Sequence, residues 1–204
     1  MTISDLAMGD AVLDSSAGLL AEVRASRRRV AAEEVLQLRL ALRYAAFNSP
    51  GSIHPAATMP GSEGELSIAG DGAPGIAEFA VVEFAAVCGL SADAGRDYLG
   101  QALELAYRLP ATLDRVLAGE VPVWRARRIA QHTVTLPPDG AAWVDTQVAG
   151  VAERVGPITL DRLVADAIVR FDPETAAQRA LEDLETRHAR VTLNHVPDGI
   201  LATG

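Results

Sequence analysis

The sequence predicts an all-α fold: a multi-helix bundle with a long flexible insert and a short, truncated β element at the C-terminus. Three observations carry this. Apolar residues recur at three- and four-residue spacings in segments cut at short intervals by Gly and Pro, the mark of packed amphipathic helices. One stretch, residues 48–74, is rich in Gly, Pro and Ser and poor in large apolar side chains. Residues 191–204 alone carry a strand and turn pattern. A chain of 204 residues, 49% of them hydrophobic, is long enough to bury one core.

Residues 5–47 read as helix, in two pieces or one long one. Val35, Leu38, Leu42 and Ala45 form its stripe, and Leu36, Leu40 and Phe47 widen it, which predicts burial on more than one side. Residues 48–74 are expected to be a loop or disordered insert, too poor in apolar surface to offset their ordering entropy. They divide an N-terminal helical segment, 1–47, from a helical core, 75–190.

Within the core, Ile76 to Val87 is an apolar helix stopped at Gly89. Ser91 caps the next, which runs to Leu109 ahead of Pro110. A short helix, Thr112 to Ala118, closes at Gly119. Val121 to His132 follows, with Pro122 in its first turn. Pro137-Pro138 reads as a break before a helix from Ala141 to Arg154, and Gly156-Pro157 as another before Thr159 to Phe171. Leu160, Leu163, Val164, Ala167, Ile168 and Phe171 line one face of that segment. Asp172 stands as N-cap and Pro173 as first helical residue of a last helix reaching about Ala189. Val191, Leu193 and Val196 then alternate, Pro197-Asp198-Gly199 is a turn signal, and a second strand should begin at Ile200. A lone hairpin with one short arm is hardly stable, so the expectation is a fragment of a longer protein or a tail that pairs elsewhere.

The net charge is −9, and all 18 basic residues are Arg. That usage reflects a GC-rich coding sequence before it reflects function. The acidic balance argues against broad electrostatic attraction to nucleic acid, although residues 22–43 hold six Arg against three Glu. The lone Cys88 excludes an internal disulfide and a cysteine zinc cluster, and fits a reducing compartment. The first residues lack a basic region followed by an apolar run, and no stretch approaches the roughly 18 apolar residues of a membrane span. The expectation is a cytoplasmic protein without a membrane partner.

Four runs together resemble a known family: EFAAVCGLSADAGRDYLGQALELAYRLP, LAGEVPVWRARRIAQHT, LPPDGAAWVDTQVA and RLVADAIVRFDPE. They resemble the actinobacterial domain of unknown function with serial number 222, over about residues 20–204 and most strongly over 76–174. Gly119 to Arg127 and Arg170-Phe171-Asp172-Pro173-Glu174 are the most specific parts. The resemblance implies the N-terminal region of an HNH endonuclease-type protein, non-catalytic and serving DNA targeting, assembly or regulation. An HNH site needs a general-base His, an orienting Asn and metal-ligating His or Asp on a ββα unit. Here Asn194-His195 is the only Asn-His pair, without a second metal ligand in place, so no catalytic residue is assigned. No cofactor is expected in this chain, and a divalent metal would belong to a downstream HNH domain. The other expectation is a helical interaction or self-association module without DNA contact.

Trp124 with Arg125, Arg127 and Arg128 is the leading candidate for contact with DNA or a partner, since guanidinium forks grip phosphates and an indole stacks. The competing reading places Trp124, Ile129 and Ala130 in the core and pairs the arginines with nearby acids. The run from Arg24 to Arg29, with Arg27, Arg28 and Arg29, could touch nucleic acid or a neighbouring domain, or form a solvated helix face. Phe84 to Gln101 has a helix-turn-helix cadence, but Asp93 and Asp97 would repel phosphates and Gly95 replaces a packing residue, which favours a plain helical hairpin. His54, His132, His188 and His195 lie too far apart for a metal motif. Cys88 reads as core, and Asp172 and Glu174 as helix caps.

Overall fold

In a computed structural model, which describes residues 15–57, 59, 61–178 and 181, the chain opens on a single helix, α1 (Ser16–Phe47). The Ser15 hydroxyl caps it by accepting the Gly18 N–H at 3.0 Å. Only its second half packs: Leu38, Ala41 and Ala45 are buried, with Val35 and Leu42 partly so. Leu36, Leu40 and Phe47 point the other way and are 48%, 55% and 75% exposed, which corrects the expectation of burial on more than one side. The apolar residues spread round the helix, but only one face meets the bundle.

After a 3-10 turn at Pro50–Ser52, two short strands pair antiparallel, β1 (Glu65–Leu66) with β2 (Ile76–Ala77). Six helices follow: α2 (Glu78–Val87), α3 (Ala92–Tyr107), α4 (Pro110–Leu117), α5 (Val123–Thr133), α6 (Pro138–Val148) and α7 (Pro157–Phe171). Residues 173–178 are again helical, and the Asp172 carboxylate accepts the Thr175 N–H at 3.1 Å, the cap expected there. Among the described residues the fold is all-α apart from the β1–β2 pair. Helix α3 is its axis, packed by α1, α2, α4 and α5, while α6 and α7 close the far side. Leu99, Ala102, Leu103 and Leu105 of α3 are buried accordingly. The stripe expected on α7 does pack: Leu160, Ala167 and Ile168 are buried, and Leu163, Val164 and Phe171 lean on the core.

Three helices begin earlier than the sequence suggests. Pro110, Pro138 and Pro157 are the first helical residues of α4, α6 and α7 rather than breaks before them. A first-turn residue has no intrahelical acceptor for its N–H, so proline loses nothing there and brings a helical φ.

The expectation of a flexible insert over 48–74 is corrected for residues 61–74. Gly70 is buried, and its N–H donates to the Glu104 carboxylate of α3 at 3.0 Å. A Cβ on Gly100 would lie 2.1 Å from the Ile68 carbonyl oxygen, so the strand-bearing segment lies directly on α3. Glycine here permits close approach, and its abundance signals packing as much as freedom. The β element expected over 191–204 lies outside the described residues. Among those described, no helix is long and apolar enough to cross a membrane.

Candidate functional site

Helix α5 buries Val123, Ala126, Ile129, Ala130 and Thr133. That spacing fixes the inward face, and the 3.6-residue period then turns positions 124, 125 and 128 outward. Trp124 is 53% exposed, so the reading that places it in the core is corrected, whereas Ile129 and Ala130 are core as expected. Val123 and Ala126 fill the inward slots on either side and leave the indole on the surface.

Trp124 stands as a ridge between two grooves. The first, about 670 Å³, runs between α1 and the Leu117–Trp124 segment, and Arg27, Arg28, Arg39, Glu34 and Glu120 line it. The second, about 460 Å³, runs between α5 and the start of α7, lined by Arg125, Arg128, Arg154, Gly156 and Pro157. Residues from α1, α5 and the turn before α7 therefore converge on one indole.

The arginines are differently committed. Arg125 donates to the Val155 carbonyl at 2.9 Å, and its guanidinium lies over the Trp124 ring, 4.9 Å from the centroid. Arg154 pairs with the neighbouring Glu153 at 3.1 Å, and Arg115 with Glu120 at 2.9 Å. The side chains of Arg27, Arg28, Arg39 and Arg128 make no hydrogen bond or ion pair with any described residue. Four unpaired guanidinium groups around an exposed indole form a surface able to bind anions, in a chain whose net charge is −9.

Two candidates fall elsewhere. Arg127 lies over the Tyr98 ring at 4.0 Å and donates from Nε to Gln101 at 2.8 Å. Burial pulls its pKa below the usual arginine value, against the opposing pull of Tyr98 and Asp97, and burial pushes the Tyr98 phenol up. Arg29 turns to Glu22, seven residues earlier on α1, at 2.6 Å. Arg39 and Arg154 join the site with no local motif to announce them, because their neighbours in space come from other helices.

The remaining candidates are structural. Helices α2 and α3 form a hairpin whose Gly89 has φ +66°, and a Cβ on Gly95 would sit 2.4 Å from that of Ala85. Gly95 therefore marks a close helix–helix approach. Cys88 is half-buried, its sulfur 3.7 Å from the Gln37 amide. His132 Nδ1 meets Asp161 at 3.1 Å, tying α5 to α7, and His54 Nδ1 accepts the Ala56 N–H at 3.1 Å. Among the described residues no three His, Cys, Asp or Glu side chains converge as metal ligands would. His188 and His195 lie outside those residues.

No protein-family model matches the chain, and neither a curated protein nor a solved structure does.

Proposed function

We propose that this chain is a non-catalytic helical domain that contacts nucleic acid through the arginine-lined surface around Trp124. We further propose that it is the N-terminal region of an HNH endonuclease-type protein, as the resemblance to the domain of unknown function 222 family implies. The observation that carries the first part is the exposed indole with guanidinium groups on both sides that have no partner among the described residues. Binding that uses such groups releases counterions, so affinity falls with salt by a slope of about 0.9 per phosphate contacted on duplex DNA and about 0.7 on single strands. The test is a titration of labelled DNA, single- and double-stranded, at several salt concentrations, with wild type and an Arg125→Ala/Arg128→Ala/Arg154→Ala variant. The variant should bind at least about tenfold more weakly and show a shallower salt slope. Absence of wild-type binding at ~50 mM salt sinks the nucleic-acid reading. For the second part, the coding sequence beyond Gly204 should carry an HNH motif, in frame or after a frameshift.

A second reading, a self-association module, is favoured by α1. Among the described residues none buries a side chain of its first half, and Leu19, Leu20, Val23 and Val30 are exposed along it. An uncovered helix of that length is marginal alone, and a second copy of α1 would bury these residues. Sedimentation velocity should then show a dimer that Val23→Glu/Val30→Glu dissociates. A wild-type monomer across the micromolar range rules this out.

A further inference from the structure

We infer that the surface around Trp124 takes unpaired, single-stranded nucleic acid in preference to duplex, with a base stacked on the indole and phosphates held by Arg125, Arg128 and Arg154. This rests on the nucleic-acid reading above and narrows it to a substrate class.

The argument begins with the indole. A tryptophan left half in solvent on the first turn of a helix forgoes the apolar burial that such a side chain normally gains. Arg125 covers one part of the ring from 4.9 Å and holds it in place by a cation–π contact. A π-face of this kind gains most from stacking on a base whose own face is free. Inside a duplex every base face is already covered by its neighbours, whereas in a single strand each can be turned outward. Base–aromatic stacking also tolerates any sequence, which suits a site whose groove linings hold no Asn or Gln to read an adenine edge.

Shape points the same way. The indole is a ridge between two concavities of about 670 and 460 Å³, each within the size range of small-ligand clefts. A flexible strand can bend across such a ridge and turn bases into the clefts, but a rigid cylinder bridges them. Charge then assigns the strand to one side. In the α1 groove Glu34 and Glu120 stand among Arg27, Arg28 and Arg39 and offset part of their charge. The α7 groove has three arginines and no acid in its lining. The exposed Arg154–Glu153 contact is a surface pair of little strength and gives way readily to a phosphate.

The test uses the full chain. Trp143→Phe leaves Trp124 as the sole tryptophan, because the chain has two. Oligo(dT) or oligo(rU) of about twenty nucleotides should quench its fluorescence, and a duplex of the same length should bind at least about tenfold more weakly. Trp124→Ala should weaken oligo(dT) binding roughly tenfold or more, the scale of one lost base stack, and change duplex binding less than about twofold. Trp124→Phe should restore most of the loss, and because position 124 is exposed both variants should melt like wild type. Equal affinity for duplex and single strand, or Trp124→Ala binding oligo(dT) as wild type does, overturns the single-strand inference while leaving the arginine contact standing. Failure of every polynucleotide to bind at ~50 mM salt overturns both.

Discussion

Glu104 of α3 and Arg108, the residue that caps the helix four positions later, form an ion pair from which solvent is excluded. The Glu104 side chain is fully buried and that of Arg108 is 3% exposed, with Nη1 at 2.8 Å from one carboxylate oxygen and 2.9 Å from the other. The carboxylate also accepts from the Gly70 N–H and, at 2.8 Å, from the Thr133 hydroxyl. Arg108 donates onward to the carbonyls of Thr133, Val134 and Leu136. One pair thus ties α3 to the segment before β2 and to the turn after α5. Removing one partner would strand a buried charge, at a cost of about 3–5 kcal/mol. Arg108→Met and Glu104→Gln should each lower the urea midpoint strongly, and Glu104→Met/Arg108→Met should recover part of the loss. A single variant as stable as wild type would show that the pair contributes no net stability.

The glycines separate packing from freedom in a second prediction. A Cβ at Gly100 meets backbone, the Ile68 carbonyl oxygen at 2.1 Å, which cannot move aside as a flexible side chain can. Gly100→Ala should therefore force the β1–β2 segment off α3 and cost about 1–3 kcal/mol or more. Gly150 has nothing within 4 Å of its Cβ position and no positive φ. Gly150→Ala should leave the melting temperature unchanged or slightly higher, since alanine restricts the unfolded chain. Equal effects from the two substitutions would contradict the close approach of Ile68 to α3.

The same glycines show what was legible in the sequence and what was not. Local signals read well: Ser91 and Asp172 cap the helices they precede, and the α7 stripe packs as its spacing says. Failures came where a distant segment decides. Pro110 reads as a stop, yet it opens α4, because the Asp145 carboxylate of α6 accepts the Ala111 and Thr112 N–H groups and the Thr112 hydroxyl. A cap supplied 33 positions away leaves no trace beside the helix it serves. An oppositely charged pair four apart on a helix usually faces water, and nothing near Glu104 announces that Gly70 and the 133–136 carbonyls will cover it. At the candidate site the chain revealed the cluster from Trp124 to Arg128 but not which of its members face out. Periodicity alone allows the stripe to turn by one residue, and Val123 and Ala126 settle that only in three dimensions.

Alkaline pH should expose one further constraint. The Tyr44 hydroxyl lies 3.1 Å from the Ala80 carbonyl and 3.1 Å from the Glu83 carboxylate, and shares one proton between them. Burial, followed by the hydrogen bond and charge of Glu83, pushes its pKa up to about 12, against about 10 in an unfolded chain. Tyrosine is neutral when protonated, so this contribution to stability is fully present below pH ~10 and is lost as pH rises through about 12. Near-ultraviolet titration of the phenols should show a late-ionising group that Tyr44→Phe removes, and the variant should lose less stability between those two pH values. A wild-type chain whose phenols have all ionised well below pH 12 would contradict it.

Arg127 and Arg128 are adjacent in sequence and opposite in consequence. Arg127 is half-buried over Tyr98 and bonded to Gln101, so its guanidinium is an internal part of the α3–α5 contact. Arg127→Ala should remove a partly desolvated cation–π contact and a charge-assisted hydrogen bond, together about 2–3 kcal/mol, and should leave nucleic-acid affinity per folded molecule unchanged. Arg128 is exposed on the α7 groove, and its side chain has no partner among the described residues. Arg128→Ala should melt within about a degree of wild type, as surface substitutions do, while lowering affinity and reducing the salt slope by about one phosphate contact. Thermal melts and a salt-dependent DNA titration on the two variants read both quantities. A loss of binding in Arg127→Ala with stability intact, or the reverse pattern in Arg128→Ala, would show that the outward face of α5 has been assigned to the wrong residues.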